Sequence, residues 1–184
     1  MFTTSSQTIG PYLHIGMDWA VNPDFAGPGV AGERISVGGR VVDGDGAPVV
    51  DAMLEIWQAN AHGRYAHPED TREIPLDEGF NGWGRVTTDD DGRFRFSTIK
   101  PGRVPAATGG LQAPHLNVTI FMRGMLRQLV TRIYFDGEPD NAQDPVLSSI
   151  PPGRRATLVA RPAGATLEWN VVLQGANETV FFDV

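Results

Sequence analysis

The chain has no cysteine among its 184 residues and only one lysine, Lys100. Without cysteine it can form no disulfide framework, no thiolate metal site and no cysteine nucleophile. Long apolar runs are missing as well, since no stretch approaches the roughly 20 apolar residues that span a bilayer. Residues 1–16 contain neither lysine nor arginine and no apolar run of the kind a signal peptide needs. We therefore predict a soluble, cytoplasmic protein.

Positive charge is also scarce, because 15 Lys and Arg residues stand against 22 Asp and Glu residues and leave a formal net charge of -7. A surface of that sign repels phosphate backbones and anionic lipid headgroups. We expect neither nucleic acid nor a membrane as a partner. The length suits one domain, and a hydrophobic content of 41% is sufficient for a single core.

Short runs of alternating apolar and polar residues, separated by turns rich in Asp and Gly, fill the chain from about residue 35 onward. This period of two predicts antiparallel strands. Two turns, Asp43–Gly46 and Asp89–Gly92, contain the glycines that tight hairpins require, and each is flanked by two predicted strands. The predicted strands are Val37–Val42, Val49–Trp57, Arg85–Thr88, Arg93–Ile99, His115–Phe121, Leu126–Phe135, Ala156–Arg161 and Leu167–Leu173, with Val180–Phe182 as a candidate edge strand.

These segments predict an all-β protein, an antiparallel β-sandwich with long loops and little helix. Only a short helical turn is expected, near Pro145–Ile150. Residues 59–84 form a connection longer than most, which favours a functional role for it. Residues 1–34 do not follow the strand pattern either. We therefore divide the chain into an extended N-terminal arm, residues 1–34, and a sandwich domain, residues 35–184.

The N-terminal arm is rich in large apolar side chains for a segment without regular structure. Its pairs Asn22–Pro23 and Gly27–Pro28 oppose both helix and strand. Because large apolar side chains are stabilised by removal from water, we expect the arm to pack against a surface. The side chains concerned are Phe2, Tyr12, Leu13, Trp19 and Phe25.

Three residues of the long connection, His62, Tyr65 and His67, are of types that can hold a ferric ion, since neutral imidazole and phenolate are both suitable ligands. Their spacing alone favours an exposed loop cluster over a metal site. Further along the chain, His115 and Asn117 lie two apart on a predicted strand and point to the same face. A neutral amide is a weak metal ligand, so this pair by itself favours a histidine that is simply hydrogen-bonded in place.

The residues around the first two predicted strands resemble a known family. Val37–Val41, Gly46, Val49, Leu54–Ile56 and Gly63–Tyr65 follow one another in the order and spacing of the signature of intradiol ring-cleavage dioxygenases. Other matching stretches extend the resemblance over nearly the whole chain. They are Ser6–Tyr12, Leu54–Asn60, Pro75–Asp77, Thr98–Gly102, Ala113–His115, Ile133–Phe135 and Glu178–Phe182.

Catalytic members of that family hold a non-haem Fe(III) with two tyrosinates and two histidines. The resemblance places Tyr65 and His115 at two of these positions, whereas Val104 and Asn117 occupy the other two. Valine has no lone pair to donate, and an amide lacks the basicity of an imidazole. The resemblance therefore implies that this chain binds no iron, and we call the four positions the relic cluster.

A chain with this departure resembles the alpha subunits of family members built from two kinds of chain, whose active site lies between alpha and beta subunits. The resemblance implies that the beta subunit binds the Fe(III) and that the arm packs on this partner. The implied reaction, in the beta-ketoadipate pathway of aromatic catabolism, inserts both atoms of dioxygen between the hydroxylated carbons of 3,4-dihydroxybenzoate and gives 3-carboxy-cis,cis-muconate. By motif, Thr8, Gly10, Pro11 and Arg123 would line the shared pocket and orient the anionic end of the substrate.

The sequence is also compatible with two other functions. A β-sandwich that recognises a ligand or protein through its loops, with no part in an oxygenase, predicts a stable monomer whose arm is not buried at an interface. A self-sufficient catechol-type dioxygenase with unusual ligands predicts iron in the purified chain. In the first case Arg123 would be an ordinary surface residue, and Thr8 and Pro11 would only tether the arm.

Overall fold

A computed structural model of the chain describes residues 3–107 and 109–183, except for the side chain of His14. Phe2, one of the arm residues expected to be buried, lies outside the described residues. The strands are β1 Arg34–Val42, β2 Met53–Trp57, β3 Trp83–Thr87, β4 Arg93–Ile99, β5 Val104–Pro105, β6 Leu111–Gln112, β7 His115–Phe121, β8 Leu129–Phe135, β9 Val159–Ala163, β10 Thr166–Glu168 and β11 Val171–Val172. The helices are α1 Tyr12–Gly16, α2 Pro145–Ser149 and α3 Pro152–Arg155, with short 3-10 turns at Asp18–Ala20, Pro139–Gln143 and Ala156–Leu158. The prediction of a mostly β protein with little helix is confirmed.

Most of the strands belong to one sheet, in the order β11-β1-β10-β9-β8-β7-β2-β3, and β4 pairs with β1. The prediction of antiparallel pairing throughout is wrong for three pairs, because β1 runs parallel to β10 and β11, and β8 runs parallel to β9. Parallel neighbours need long connections, and the chain supplies one between β8 and β9, where α2 and α3 lie. The sheet is therefore mixed and nearly closed, rather than a simple antiparallel sandwich.

The two turns rich in Asp and Gly form, but they do not join paired strands. Asp43 Oδ1 accepts the backbone N–H groups of Asp45 and Ala47 at 3.0 and 2.8 Å, and Gly46 has a φ of 80°. Asp89 caps its own turn in the same way. The Asp43 turn closes a short antiparallel bridge between Val42 and Pro48. Beyond it, however, β1 pairs with β4, whereas β2 pairs with β3 and β7, so the predicted hairpins do not extend into the strands. Turn geometry is set locally, whereas strand partners are set by which faces must be buried together.

The main core lies on the face of the sheet that the alternation predicts. On β7, Leu116, Val118 and Ile120 are fully buried, while the residues between them are partly exposed. Burying side chains of this size contributes about 1.5–3 kcal/mol each. The candidate edge strand Val180–Phe182 is reduced to one isolated bridge, from its last residue to Val130.

The short helix predicted near Pro145–Ile150 is confirmed as α2. Asp144 caps its N-terminus, since the carboxylate accepts the backbone N–H of Leu147 at 2.7 Å. Leu147 and Tyr134 belong to a second, smaller core cluster. None of the helices among the described residues is long and apolar enough to cross a membrane.

The N-terminal arm is only partly packed on its own chain. Leu13 and Phe25 are buried as expected, and the ring of Phe25 stacks on that of Phe96 with 5.0 Å between centroids. Tyr12 and Trp19 are 61% and 81% exposed, so the expected burial of these two side chains does not occur within the chain. The outer half of the arm therefore presents an uncovered aromatic surface.

Candidate functional site

The long connection between β2 and β3 is ordered by the side chain of Asn60, which is fully buried. Its Oδ1 accepts the backbone N–H groups of His62 and Arg64 at 3.1 and 2.9 Å. Its Nδ2 donates to the carbonyl oxygen of Pro75 and to Oδ2 of Asp77, both at 2.8 Å. One amide therefore ties two distant parts of the loop together.

Gly63 brings this loop against the segment that leads into β5. It has a φ of 79°, in the left-handed region that favours glycine, and an added Cβ would lie only 1.9 Å from the carbonyl oxygen of Arg103. Only a glycine permits this approach of backbone to backbone. As a result, Tyr65 and Val104, which follow closely on the two segments, line one cavity.

Tyr65 is held by its backbone, its ring and its hydroxyl. The backbone N–H donates to Oδ2 of Asp70 at 2.8 Å, and the ring stacks on Trp57 with 5.9 Å between centroids. Burial raises the pKa of the Tyr65 hydroxyl, and the hydrogen bond with the Asn117 side chain offsets this effect only in part. Without a bound cation, Tyr65 is therefore a neutral phenol at neutral pH.

The cavity beside Tyr65 has a volume of about 690 Å³. An ion pair lies in its wall, with Arg72 Nη2 at 2.6 Å from Asp70 Oδ2. The hydrogen bond from Arg72 holds the pKa of Asp70 well below its usual range. These two charges therefore neutralise each other, and the rest of the wall includes Trp57 and His67.

The relic cluster does not fit a ferric ion. Val104 is buried and offers only hydrocarbon. Nδ1 of His115 lies 2.8 Å from the carbonyl oxygen of Ala113, and its buried Nε2 has no hydrogen-bond partner. The Nδ2 of Asn117 donates to the carbonyl oxygen of Trp57 at 3.5 Å. With a valine and an amide at two of the four positions, the cluster retains only the phenol of Tyr65 and the imidazole of His115 as potential ligands.

The two histidines of the long connection differ in position, because His67 lines the same cavity as Tyr65 and His62 does not. His62 is exposed, and His67 packs edge-on against Trp57 with 5.7 Å between ring centroids. Within the part of the chain that the structure describes, no group of three or more His, Asp or Glu side chains is arranged to hold a metal ion. His62, Tyr65 and His67 are therefore a loop cluster, in which the two aromatic contacts to Trp57 fix Tyr65 and His67.

The buried His115 predicts a loss of stability in mild acid. Burial, with the charge of Arg132 as the second cause, lowers the pKa of His115 to about 4, from 6.5 for a free histidine. Between these values the unfolded chain takes up a proton that the folded chain does not. Stability therefore falls as the pH decreases from 6.5 toward 4, by about 3 kcal/mol in total.

Urea unfolding at a series of pH values measures this effect. His115→Gln should show a shallower fall in unfolding free energy over that pH range than the unchanged protein. His67→Gln, at an exposed position, should keep the original pH dependence. Equal slopes in all three proteins would contradict the assignment of the effect to His115.

A second group of predicted residues lies where the arm meets the turn after β7. Thr8 Oγ1 accepts the backbone N–H of Gly124 at 2.8 Å and lies 3.4 Å from the backbone nitrogen of Gly10. The neighbouring Arg123 is 64% exposed at its side chain, and its Nε lies 3.1 Å from Oδ2 of Asp51, without the directional geometry of a hydrogen bond. One hydroxyl thus joins the arm to the turn that carries the arginine.

A shallow groove of about 280 Å³ follows this junction, lined by Gln7 and Ile9 of the arm and by Met122, Met125 and Leu126 of the turn. Pro11, the last predicted residue, is exposed and stands immediately before α1. The structure therefore brings Thr8 and Gly10 to the segment of Arg123, with Pro11 next along the arm. No bond of the described residues joins Pro11 directly to that turn.

The two groups of predicted residues lie at opposite ends of β7. The relic cluster includes His115, the first residue of the strand, whereas Arg123 follows its last residue, Phe121. A strand of this length separates its ends by roughly 20 Å. The chain therefore has two distinct candidate sites, one lined by the long connection and the segment around β5, and one between the arm and the turn after β7.

Sequence reasoning missed three polar residues, Gln112, Arg132 and Asp144, that lie in or next to the segments around the relic cluster. Asp144 is fully buried and accepts hydrogen bonds from the backbone of Ala113 and from the Tyr134 hydroxyl. Arg132 donates to Gln112 at 2.7 Å and to Tyr134 at 3.3 Å. The sequence carried a signal for Asp144, because Asp before Pro at the start of a helix is a capping pattern. It carried none for Arg132 or Gln112, whose contacts join separate strands.

Comparison with known proteins identifies the fold and the family. The dioxygenase family model matches residues 17–175. The chain is 42% identical to the protocatechuate 3,4-dioxygenase alpha chain of Burkholderia cepacia, over 98% of this chain and 97% of that one. It is 40% identical to the beta chain from the same organism, over 80% of this chain and 67% of the relative.

A solved structure gives the same result for the fold. The dioxygenase domain of a dioxygenase and carbohydrate-binding protein fusion from Streptomyces sp. SirexAA-E superposes with a TM-score of 0.62 and 27% identity. The match covers 95% of this chain and 100% of that domain. The chain belongs to the family of intradiol ring-cleavage dioxygenases.

Proposed function

We propose that this chain is the alpha subunit of a protocatechuate 3,4-dioxygenase and that it works only beside an iron-carrying beta subunit. The full-length likeness to an alpha chain supports this function. The observation that carries it is the relic cluster, in which Val104 and Asn117 replace ligands in a chain that otherwise keeps the family's fold. Such a chain can shape an active site but cannot hold the metal of that site. From its sequence we expect the complex to work in the cytoplasm.

The reaction is cleavage of 3,4-dihydroxybenzoate between its two hydroxylated carbons, with insertion of both atoms of dioxygen, to give 3-carboxy-cis,cis-muconate. The chemistry of Fe(III) belongs to the beta subunit in this proposal. The share of the alpha chain is to bind and orient the substrate's carboxylate. Arg123 is suited to that task, because its exposed guanidinium can donate two parallel hydrogen bonds to a carboxylate. Thr8 supports the same wall by holding the arm at Gly124.

The uncovered aromatic surface of the arm supports the pairing with a second subunit. Tyr12, Ile15 and Trp19 all project into the surroundings, and they lie within eight residues of one another. Contiguous exposed apolar side chains of this kind mark a protein interface. We propose that this surface packs on the beta subunit and so carries Gly10 and Pro11 to the shared pocket.

Reconstitution from separate subunits tests this function. Expressed alone, the chain should be colourless, contain no iron and consume no oxygen in the presence of 3,4-dihydroxybenzoate. Addition of an iron-loaded beta subunit should restore oxygen uptake. Stoichiometric iron in the chain alone would favour a self-sufficient enzyme. A stable monomer that no beta subunit binds would favour the loop-based binding module.

A further inference from the structure

The cavity lined by Tyr65 and Val104 is large enough to hold a small ring. Its volume of about 690 Å³ falls within the range of small-molecule sites. Trp57 and Tyr65, stacked at 15° to one another, form one part of the wall. Val104 and Pro105 add hydrocarbon to it. Stacked aromatic rings with an aliphatic edge suit a planar aromatic ligand.

Arg132, on β8, supplies a positive charge next to this wall. Its Nη1 donates at 2.7 Å to Oε1 of Gln112, and Gln112 lines the cavity. No ion pair of the described residues includes Arg132, whereas Arg72 is paired with Asp70. The half-buried guanidinium of Arg132 therefore donates to two neutral partners, the Gln112 amide and the Tyr134 hydroxyl, and a carboxylate would bind it more strongly than the amide does.

We propose that this cavity binds a small aromatic carboxylate, with the ring along Trp57 and Tyr65 and the carboxylate on Arg132 in place of the Gln112 amide oxygen. The Gln112 side chain would move aside and give up one hydrogen bond with Arg132 and one to the carbonyl oxygen of Pro105. The planar guanidinium can then engage both carboxylate oxygens. The cavity is a ligand site distinct from the arm-bordered groove at the other end of β7.

The acidic residues of the wall determine which end of the ligand faces inward. Asp70 is neutralised by Arg72, but Glu69 is exposed at the rim and repels negative charge there. The ligand's carboxylate therefore points inward to Arg132, and its ring edge points outward. Because all these residues belong to one chain, the site exists whether or not a beta subunit carries iron nearby.

Fluorine NMR with 4-fluorobenzoate tests the proposal on the purified full chain, alone or with any partner that accompanies it. This probe has no catechol hydroxyls, so it is not a ring-cleavage substrate. A probe molecule bound beside Fe(III) would be broadened, which separates an iron site from this cavity. We expect saturable binding of one molecule per chain, with a resonance free of paramagnetic broadening. The proposal is overturned if no saturable binding is seen, or if the only bound resonance is broadened by Fe(III).

Three variants test the part played by Arg132. Gln112→Glu has the same shape but places a carboxylate on the guanidinium, so it should weaken binding about tenfold or more. Arg132→Gln should weaken it to a similar degree. Arg161→Ala, at an exposed arginine on β9, should leave the affinity unchanged. The proposal is overturned if a folded Gln112→Glu protein binds 4-fluorobenzoate with unchanged affinity. It is also overturned if acetate, which has no ring, binds as tightly as 4-fluorobenzoate.

Discussion

Asp144→Ala is expected to reduce the free energy of unfolding by about 4 kcal/mol, because three buried donors each lose a partner at a cost of about 1–3 kcal/mol. The carboxylate is fully buried. Its two oxygens accept from the backbone N–H groups of Ala113 and Leu147, both at 2.7 Å, and from the Tyr134 hydroxyl at 3.0 Å. One side chain therefore fixes the start of β7, the cap of α2 and the middle of the second core. Urea unfolding measures the change.

Three further variants separate the contributions of Asp144. Asp144→Asn keeps one oxygen acceptor and should lose less stability than Asp144→Ala. Tyr134→Phe removes only one of the three donors and should cost about 1 kcal/mol. Asp136→Ala, at an exposed position on the same connection, should stay within about 0.5 kcal/mol of the unchanged protein. If Asp144→Ala lost less unfolding free energy than Tyr134→Phe, the central role of Asp144 would be refuted.

Arg123→Ala is expected to lower kcat/KM for 3,4-dihydroxybenzoate by about 10-fold to 100-fold in the reconstituted complex. The estimate corresponds to the loss of one charge-assisted interaction of about 1.5–3 kcal/mol. This prediction rests on the proposed function and on the exposed guanidinium beside the arm. Steady-state oxygen uptake measures it. Arg123→Lys keeps the charge but not the planar guanidinium. Its kcat/KM should therefore lie between those of the unchanged protein and Arg123→Ala.

A change of substrate provides the matched control for Arg123. Catechol has the two hydroxyls of the substrate but no carboxylate. Its slower cleavage should therefore be nearly the same with and without Arg123, whereas Arg161→Ala should alter neither reaction. An equal loss on both substrates would show that Arg123 maintains the subunit contact and does not bind the carboxylate.

Strands with a clear alternation were predictable from the sequence, whereas their partners were not. β4 and β7 begin and end at the predicted residues, because most of their apolar side chains alternate with polar ones. The turns at Asp43 and Asp89 were also predictable, but they feed strands that pair elsewhere. Pairing depends on contacts between residues far apart in the chain, as in the parallel match of Val37 with Leu167. No local pattern encodes such a match.

The candidate sites, like the strands, were predictable from the sequence only in part. The family signature located Tyr65, Val104, His115 and Asn117, and the structure gathers their segments around one cavity and its neighbouring strand. The binding roles of Thr8, Gly10, Pro11 and Arg123 stay predictions, as does the boundary of the arm at residue 34. Arg132 escaped prediction, since only the register of β7 with β8 reveals that it lies opposite Asn117.

That register limits any attempt to engineer a metal centre back into this polypeptide. Restoring a tyrosine at Val104 and a histidine at Asn117 would leave the guanidinium of Arg132 directly across the strand pair. Its charge already acts on both Tyr65 and His115. A trivalent cation brought to the same place would meet electrostatic repulsion from this charge, so replacing Arg132 as well should increase the iron affinity of a revived site.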